Sequence, residues 1–414
     1  MIFNVPKRVI LVTALVYFAI FLNFFLVGTI VPLIPRLAED HGLTSIESSL
    51  VLSIKSFSHM AVSPILAFLA SKWSPVDLFC FGQIAVAGAY FGCAFSSSFV
   101  GFLISRLAQG IGIASIMVAG MSILVATVPK DKRGRYVSFA YSGLAHASLV
   151  APVLSAVMYD NLGQIWTFLI PGIATVASAT CAIIFLSRLF KQHSQENNES
   201  SSRNLDRRLI IPMLKSVFCL SLAYLTYLGI LSCGFAFGCI EASVPQFMAD
   251  RGESVLTSNL LWSSGALTFT VFAPLIGYLI DRFKPAYFLL FSLMSYIVVG
   301  PLIHLMAISV GGIAGTIIVT TFIQAVAELS VYPLATSVVE IACADLKTND
   351  TATIVGFCLV EMFIQAGFAV GNIVGKIFYD WENLYGVGIG IASIPAGTLV
   401  VIIIINLLLN HHGT

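Results

Sequence analysis

Charge is scarce in this sequence. Of 414 residues only 10% are Asp, Glu, Lys or Arg, whereas 58% are hydrophobic. A soluble domain carries about 25% charged and about 45–50% apolar residues. So few charges could not cover a water-facing globule of this size, which excludes large soluble domains. A surplus of one sign is also missing. The net charge of +1 leaves no basic surface to neutralise phosphates, so no nucleic-acid partner is expected. The eight cysteines form no CxxC and no Cys/His cluster of metal spacing. They read as small apolar packing residues, not as a disulfide or metal framework. No GxxxxGK[ST] loop occurs, which removes ATP as the energy source. No HExxH and no clustered nucleophile and base supports an enzyme, and no cofactor is expected.

What the sequence has in abundance is long apolar runs, with a mean hydropathy of +0.96. A helix crossing a hydrocarbon core of about 30 Å needs about 20 apolar residues. Twelve runs qualify: 9–33, 48–70, 76–96, 99–127, 136–158, 165–189, 216–246, 258–280, 286–307, 312–342, 352–378 and 385–409. The first is too long for a signal-peptide core of about 7–15 residues and reads as a membrane span. Between spans 6 and 7 lies KQHSQENNESSSRNLDRR, Lys191 to Arg208, a polar segment that reads as a solvated linker. The expected fold is therefore an all-α membrane protein of twelve transmembrane helices. Two pseudo-symmetric six-helix bundles, 1–190 and 214–414, flank a linker at 191–213.

Lys and Arg in the short loops set the orientation. Sixteen fall on the side of the N-terminus, and only Arg36, Arg251 and Lys376 fall on the other. Both termini are expected in the cytoplasm, as those of a multi-pass protein of a vesicle, vacuole or plasma membrane. A monomer is expected.

The two halves repeat. SPILAFLASKWSP, Ser63 to Pro75, aligns without a gap on APLIGYLIDRFKP, Ala273 to Pro285. Val31-Pro32 matches Val244-Pro245, and Tyr159-Asp160 matches Tyr379-Asp380. Parallel six-helix repeats suit a rocking transporter with its solute site between the halves.

Five ionisable residues stand well inside spans: Lys55 in span 2, Arg106 in span 4, Glu241 in span 7, Glu328 in span 10 and Glu361 in span 11. A charge at bilayer centre costs roughly 2.5–3.5 kcal/mol on insertion scales, so each should be paired, neutral or facing a cavity. Two cations and three acids permit two pairs and one carboxylate left over. A surplus carboxyl held out of water is suited to taking up and releasing protons. A cationic solute would compete with the proton for it. His59, one turn beyond Lys55, and His146 read as hydrogen-bonded packing residues. Phe24, Phe25, Phe235, Tyr332 and Phe357 could wall an apolar pocket. Asp281-Arg282 and the basic turn Lys130–Arg135 could form a cytoplasmic charge latch, weak enough to bias two states without freezing either.

These motifs resemble the major facilitator superfamily over essentially the whole chain. Its G-x-x-x-D-R signature is intact as Gly277, Asp281 and Arg282, and Ala67 and Ser71 replace its Gly and Asp in the first half. RLAQGIG, Arg106 to Gly112, resembles the R-x-x-Q-G-x-G pattern of proton-coupled members. GLAHASLVAP, Gly143 to Pro152, resembles the antiporter motif, with Ala151 in place of Gly. FSSSFVGFLISRLAQGIG, CIEASVP and AELSVYP look closest to the vesicular amine transporters and their drug/proton antiporter relatives.

That resemblance implies proton-coupled antiport of a small organic solute, amine- or drug-like, by alternating access. It pairs Lys55 with Glu361, faces Arg106 to Glu241 and makes Glu328 and Glu361 the proton-coupling acids, with Glu328 replacing the family's Asp. Asn23, Glu241, Glu328 and Tyr332 would contact solute, and Lys55, Arg106, Asp281 and Arg282 would serve as ion pairs and gates. Amine-transporting members carry an aspartate where this chain has Asn23. Asn can hydrogen-bond an ammonium but cannot neutralise it. A proton symporter or uniporter of a neutral or zwitterionic metabolite, and a solute receptor that does not transport, stay open as alternatives.

Overall fold

The computed structural model describes residues 7–69, 73–128, 133–196, 220–280, 282–306, 309–342 and 349–411. Among these, all regular structure is helical. The elements are α1 (Lys7–His41), α2 (Ser45–Leu69), α3 (Pro75–Phe95), α4 (Phe99–Thr127), α5 (Arg133–Glu196), α6 (Ser221–Asp250), α7 (Val255–Ile280), α8 (Pro285–Met306), α9 (Val310–Ala342) and α10 (Asn349–His411).

Ten elements carry twelve spans, because α5 and α10 are double. At about 1.5 Å per residue, the 64 residues of α5 would reach about 96 Å, some three times a bilayer core. Gly163, at φ 76° and ψ 178°, interrupts α5. Glu382 (φ −141°) and Asn383 (φ 57°) interrupt α10. Both breaks follow the repeated Tyr-Asp pair, at Tyr159-Asp160 and Tyr379-Asp380. After the second break the chain doubles back. A Cβ at Gly386 would lie 2.4 Å from the Phe378 carbonyl oxygen, eight residues earlier. The other repeated positions also correspond. Pro64 and Pro274 lie inside α2 and α7. Pro75 and Pro285 open α3 and α8, where a missing N–H costs nothing. Ser74 caps α3 by accepting from the Val76 N–H at 3.3 Å.

The chain divides into two compact units. One holds residues 1–33 and 61–204, the other residues 34–60 and 205–414. In the first, α3 and α4 approach so closely that a Cβ at Gly82 would sit 2.8 Å from the Gly112 carbonyl oxygen. Small residues permit such contact between membrane helices. The buried Tyr90 hydroxyl donates to the Leu22 carbonyl at 2.6 Å. Gln164 Nε2 donates to the carbonyls of Cys93 and Ser96 at 2.8 and 2.9 Å, tying the α5 break to the end of α3.

In the second unit the spine is α6 against the first limb of α10. Gly367, Gly371 and Gly375, four residues apart, form a bare stripe on α10. A Cβ at these positions would lie 2.2 Å from the Leu231 oxygen, 2.3 Å from the Phe235 oxygen and 2.4 Å from the Cys239 Cα. Around that seam pack Tyr227, Ile230, Leu293, Val331, Val360 and Ile391, all buried. Ile104, Val271, Phe291, Val298, Val400 and Ile403 point outward and are exposed. Exposed apolar side chains of this kind are what lipid contact requires.

Of the loop charges, Lys72, Lys130, Lys132, Asp281, Lys347 and those of linker residues 197–213 lie outside the described residues.

Candidate functional site

The polar residues of α9 recur at helical spacing. Gln324, Glu328 and Tyr332 are four apart, so they share one face. Each has a partner. Gln324 Nε2 donates to Glu328 Oε1 at 3.0 Å. Tyr296 of α8 donates to Gln324 Oε1 at 3.1 Å. Tyr332 donates to Glu361 Oε1 on α10 at 2.8 Å. The other oxygen of Glu361, Oε2, lies 3.8 Å from His59 Nε2 on α2. Lys55, one turn earlier on α2 and buried, is within electrostatic range of both Glu361 and His59. Glu328 and Glu361 thus belong to one polar cluster in the second unit, where Tyr332, one turn after Glu328 on α9, donates to Glu361.

The face of α10 that bears Glu361 continues as a polar ladder through Gln365, Asn372 and Lys376. Asn372 Nδ2 donates to Glu241 Oε2 on α6 at 3.4 Å. Lys376 pairs with Asp380 at 3.7 Å. Ser45 of α2 donates to Asp380 Oδ2 at 2.6 Å, and Tyr379 donates to Asp250 Oδ2 at 2.6 Å. Residues 34–60, which the sequence reading placed in the first bundle, pack with the second unit through His59 and Ser45. The neutral members of these networks, Gln324, Gln365 and Asn372, were not foreseen. Amides cost less to insert than charges and so raise no alarm in an apolar helix. The spacing of Gln324 four residues from Glu328, and of Gln365 and Asn372 four and eleven residues from Glu361, was the available signal.

The first unit has its own polar centre. Arg106 is 1% exposed, and its Nη1 donates to Gln109 Oε1. Gln109 Nε2 in turn donates to the Asn23 carbonyl at 3.3 Å. The R-x-x-Q spacing therefore fastens an arginine on α4 to α1. The Asn23 side chain is fully buried, and neither amide atom has a hydrogen-bond partner among the described residues. An unsatisfied buried polar group costs about 1–3 kcal/mol. His146 of this unit lies 3.1 Å from the Tyr17 hydroxyl. Arg282, of the expected latch, is exposed and lays its guanidinium over the Tyr278 ring at 4.5 Å. Asp281 and residues 130–132 of the basic turn lie outside the described residues.

Stability can test the Lys55–Glu361 association. Removing one member of a buried ion pair costs about 3–5 kcal/mol, while removing both is milder. Lys55→Ala and Glu361→Ala should each lower the melting temperature in detergent, and the double variant should lose less than their sum. Additive losses would show that the two do not interact.

Among the described residues no group of three or more His, Cys, Asp or Glu could hold a metal ion. Residues 16–358 match the family model described as Major Facilitator Superfamily. The human synaptic vesicular amine transporter is 32% identical over 138 residues, 32% of this chain and 26% of that protein. The multi-drug resistance efflux pump PmrA of Streptococcus pneumoniae is 23% identical over 255 residues, 61% of each chain. The chain thus spans less than two thirds of the length of the curated relatives it matches. A solved structure of a POT family transporter in complex with a thioalcohol-conjugated peptide superposes with a TM-score of 0.72 at 12% identity, over 98% of this chain and 96% of that one. That likeness is one of fold.

Proposed function

The chain belongs to the Major Facilitator Superfamily, and we propose that it is a proton-coupled antiporter moving a small organic solute, amine- or drug-like, by alternating access. The observation that carries this reading is that one face of α9 holds Glu328, which accepts from Gln324, and one turn later Tyr332, which donates to Glu361 of α10, all within the second unit. Two carboxyls that accept only neutral hydrogen bonds on their nearer oxygens are a place where a proton and a cation exclude each other. Such exclusion is the minimal device for exchange. In this reading Glu328 and Glu361 carry protons. Glu241, Glu328, Tyr332 and Asn23 meet the solute, and Lys55, Arg106, Asp281 and Arg282 hold or release the two end states. Both termini face the cytoplasm, the linker at 191–213 joins bundles 1–190 and 214–414, and the chain works as a monomer. The vesicular amine and drug-efflux relatives support an organic substrate.

The buried amide of Asn23 favours a second reading, coupled uptake of a neutral or zwitterionic solute. One experiment separates them. Labelled amines, polyamines, zwitterions and neutral metabolites are offered to proteoliposomes under an imposed pH gradient. Antiport predicts uptake of cationic solutes into vesicles acidic inside, and Asn23→Asp should shift preference further toward cations. Uptake of neutral or zwitterionic solutes into vesicles alkaline inside would instead establish symport. Absence of any gradient-driven uptake would remove both readings.

A further inference from the structure

We propose that Tyr296 is a positioning residue for proton exchange at Glu328: its hydroxyl fixes the amide of Gln324 so that the N–H side, and not the carbonyl, is turned to the carboxyl. The inference rests on the proton-coupled reading above and adds to it two residues that act through Glu328.

A glutamine amide has two unlike ends. Its nitrogen donates and its oxygen accepts. With the nitrogen toward a carboxyl it stabilises the carboxylate, because a donor to an ionised group makes a strong hydrogen bond. With the oxygen toward a carboxyl it sets an acceptor against that group, which only the protonated form can satisfy. The end that faces Glu328 therefore decides how readily its proton leaves.

The choice of end is visible in the bonding. Gln324 Nε2 donates to Glu328 Oε1 at 3.0 Å, and Gln324 Oε1 accepts from the Tyr296 hydroxyl at 3.1 Å. Tyr296 and Gln324 are both buried. The hydroxyl also stands 3.3 Å from the Thr320 carbonyl oxygen. That oxygen already serves the backbone ladder of α9, which leaves Gln324 Oε1 the nearer and less engaged acceptor. Donation into the amide oxygen polarises the N–H groups at the other end and strengthens their bond to the carboxylate. Tyr296 belongs to α8, so a neighbouring helix imposes the setting.

The titratable groups close to Glu328 come from three of the helices packed on α9. They are Tyr296 of α8, the Cys233 thiol of α6 and Glu361 of α10. Tyr332, one turn further along α9, donates to Glu361. α7 also packs on α9, but its single titratable residue, Tyr278, is exposed. Among the described residues Tyr296 is the one that holds the Gln324 amide oxygen.

The test needs no solute. Purified full-length protein is titrated while infrared difference spectra record the stretch of protonated carboxyls, and the band that Glu328→Gln lacks is assigned to Glu328. Tyr296→Phe removes only the hydroxyl and should move the midpoint of that band up by about 1 pH unit, a part of what one hydrogen bond to a charged group contributes. Gln324→Leu removes the donor itself and should move the midpoint at least as far. The double variant should titrate like Gln324→Leu alone, because Tyr296 acts through Gln324. An unchanged or lowered midpoint in Tyr296→Phe overturns the inference, as does a double variant whose shift is the sum of the single shifts. Gln324→Leu at the wild-type midpoint overturns it even if Tyr296→Phe does not fold. Each of these results leaves the proton-coupled reading standing where wild-type uptake of labelled amine follows the pH gradient. A wild type without such uptake removes that reading, and the role of Tyr296 with it.

Discussion

Glu328→Gln should reduce gradient-driven solute uptake to the background of protein-free vesicles while the purified variant keeps its wild-type elution volume and melting temperature. Gln preserves the size of the side chain and can still pair with Gln324 Nε2, which sits 3.0 Å from Glu328 Oε1. The hydrogen-bond chain from Tyr296 through Gln324 is therefore kept. Only the exchangeable proton and the negative charge are lost. Folding should tolerate this, since burying a charge is costlier than burying a hydrogen-bonded amide. Solute binding without coupling would survive as gradient-independent counterflow. Uptake at the wild-type rate in this variant would take Glu328 out of the mechanism.

Gly371→Leu should be among the most damaging single changes to the fold. The α10 backbone at Gly371 leaves no room, because a Cβ there would lie 2.3 Å from the Phe235 carbonyl oxygen and 3.0 Å from its carbonyl carbon. Backbone cannot swing aside as a side chain can. Overpacking of a core costs about 1–3 kcal/mol even where side chains yield, so a backbone clash should reach or exceed the top of that range. Separating α6 from α10 would also pull Asn372 from Glu241 and loosen the seam beneath Glu361. The expected result is failure to give a monodisperse peak in size-exclusion chromatography. Gly397→Ala is the control, since nothing lies within 4 Å of a Cβ there, and it should behave as wild type.

The sequence makes the membrane architecture plain because its cause is thermodynamic and local. Twenty apolar residues in a row cannot be exposed to water, and each such run declares itself without knowledge of its neighbours. The repeat is equally legible, since Pro64 and Pro274, or Tyr159-Asp160 and Tyr379-Asp380, are matched in the one-dimensional order. Glu328 and Glu361 stand out for the same reason: a charge in an apolar run is expensive and demands explanation.

What stays hidden depends on partners distant in sequence. Nothing local to SIKSFSHM places His59 beside Glu361, more than 300 residues later. Reading His59 as a packing residue followed its neighbours in the chain, while the structure sets an acid of another helix 3.8 Å from its ring. The Gly367–Gly371–Gly375 stripe is visible as a spacing, yet its meaning comes from the α6 backbone lying against it. The grouping of 34–60 with the second unit likewise rests on contacts such as Ser45 with Asp380, which hydropathy does not encode.

The central claim is that solute and proton exclude each other at the carboxyls of the second unit. It is tested most directly by placing wild-type protein in vesicles of equal internal and external pH with a pH dye trapped inside, then adding a transported amine outside. Antiport predicts that the lumen turns alkaline as labelled amine enters, with no lumen change in Glu328→Gln vesicles. Amine entry with no change in lumen pH would contradict the account.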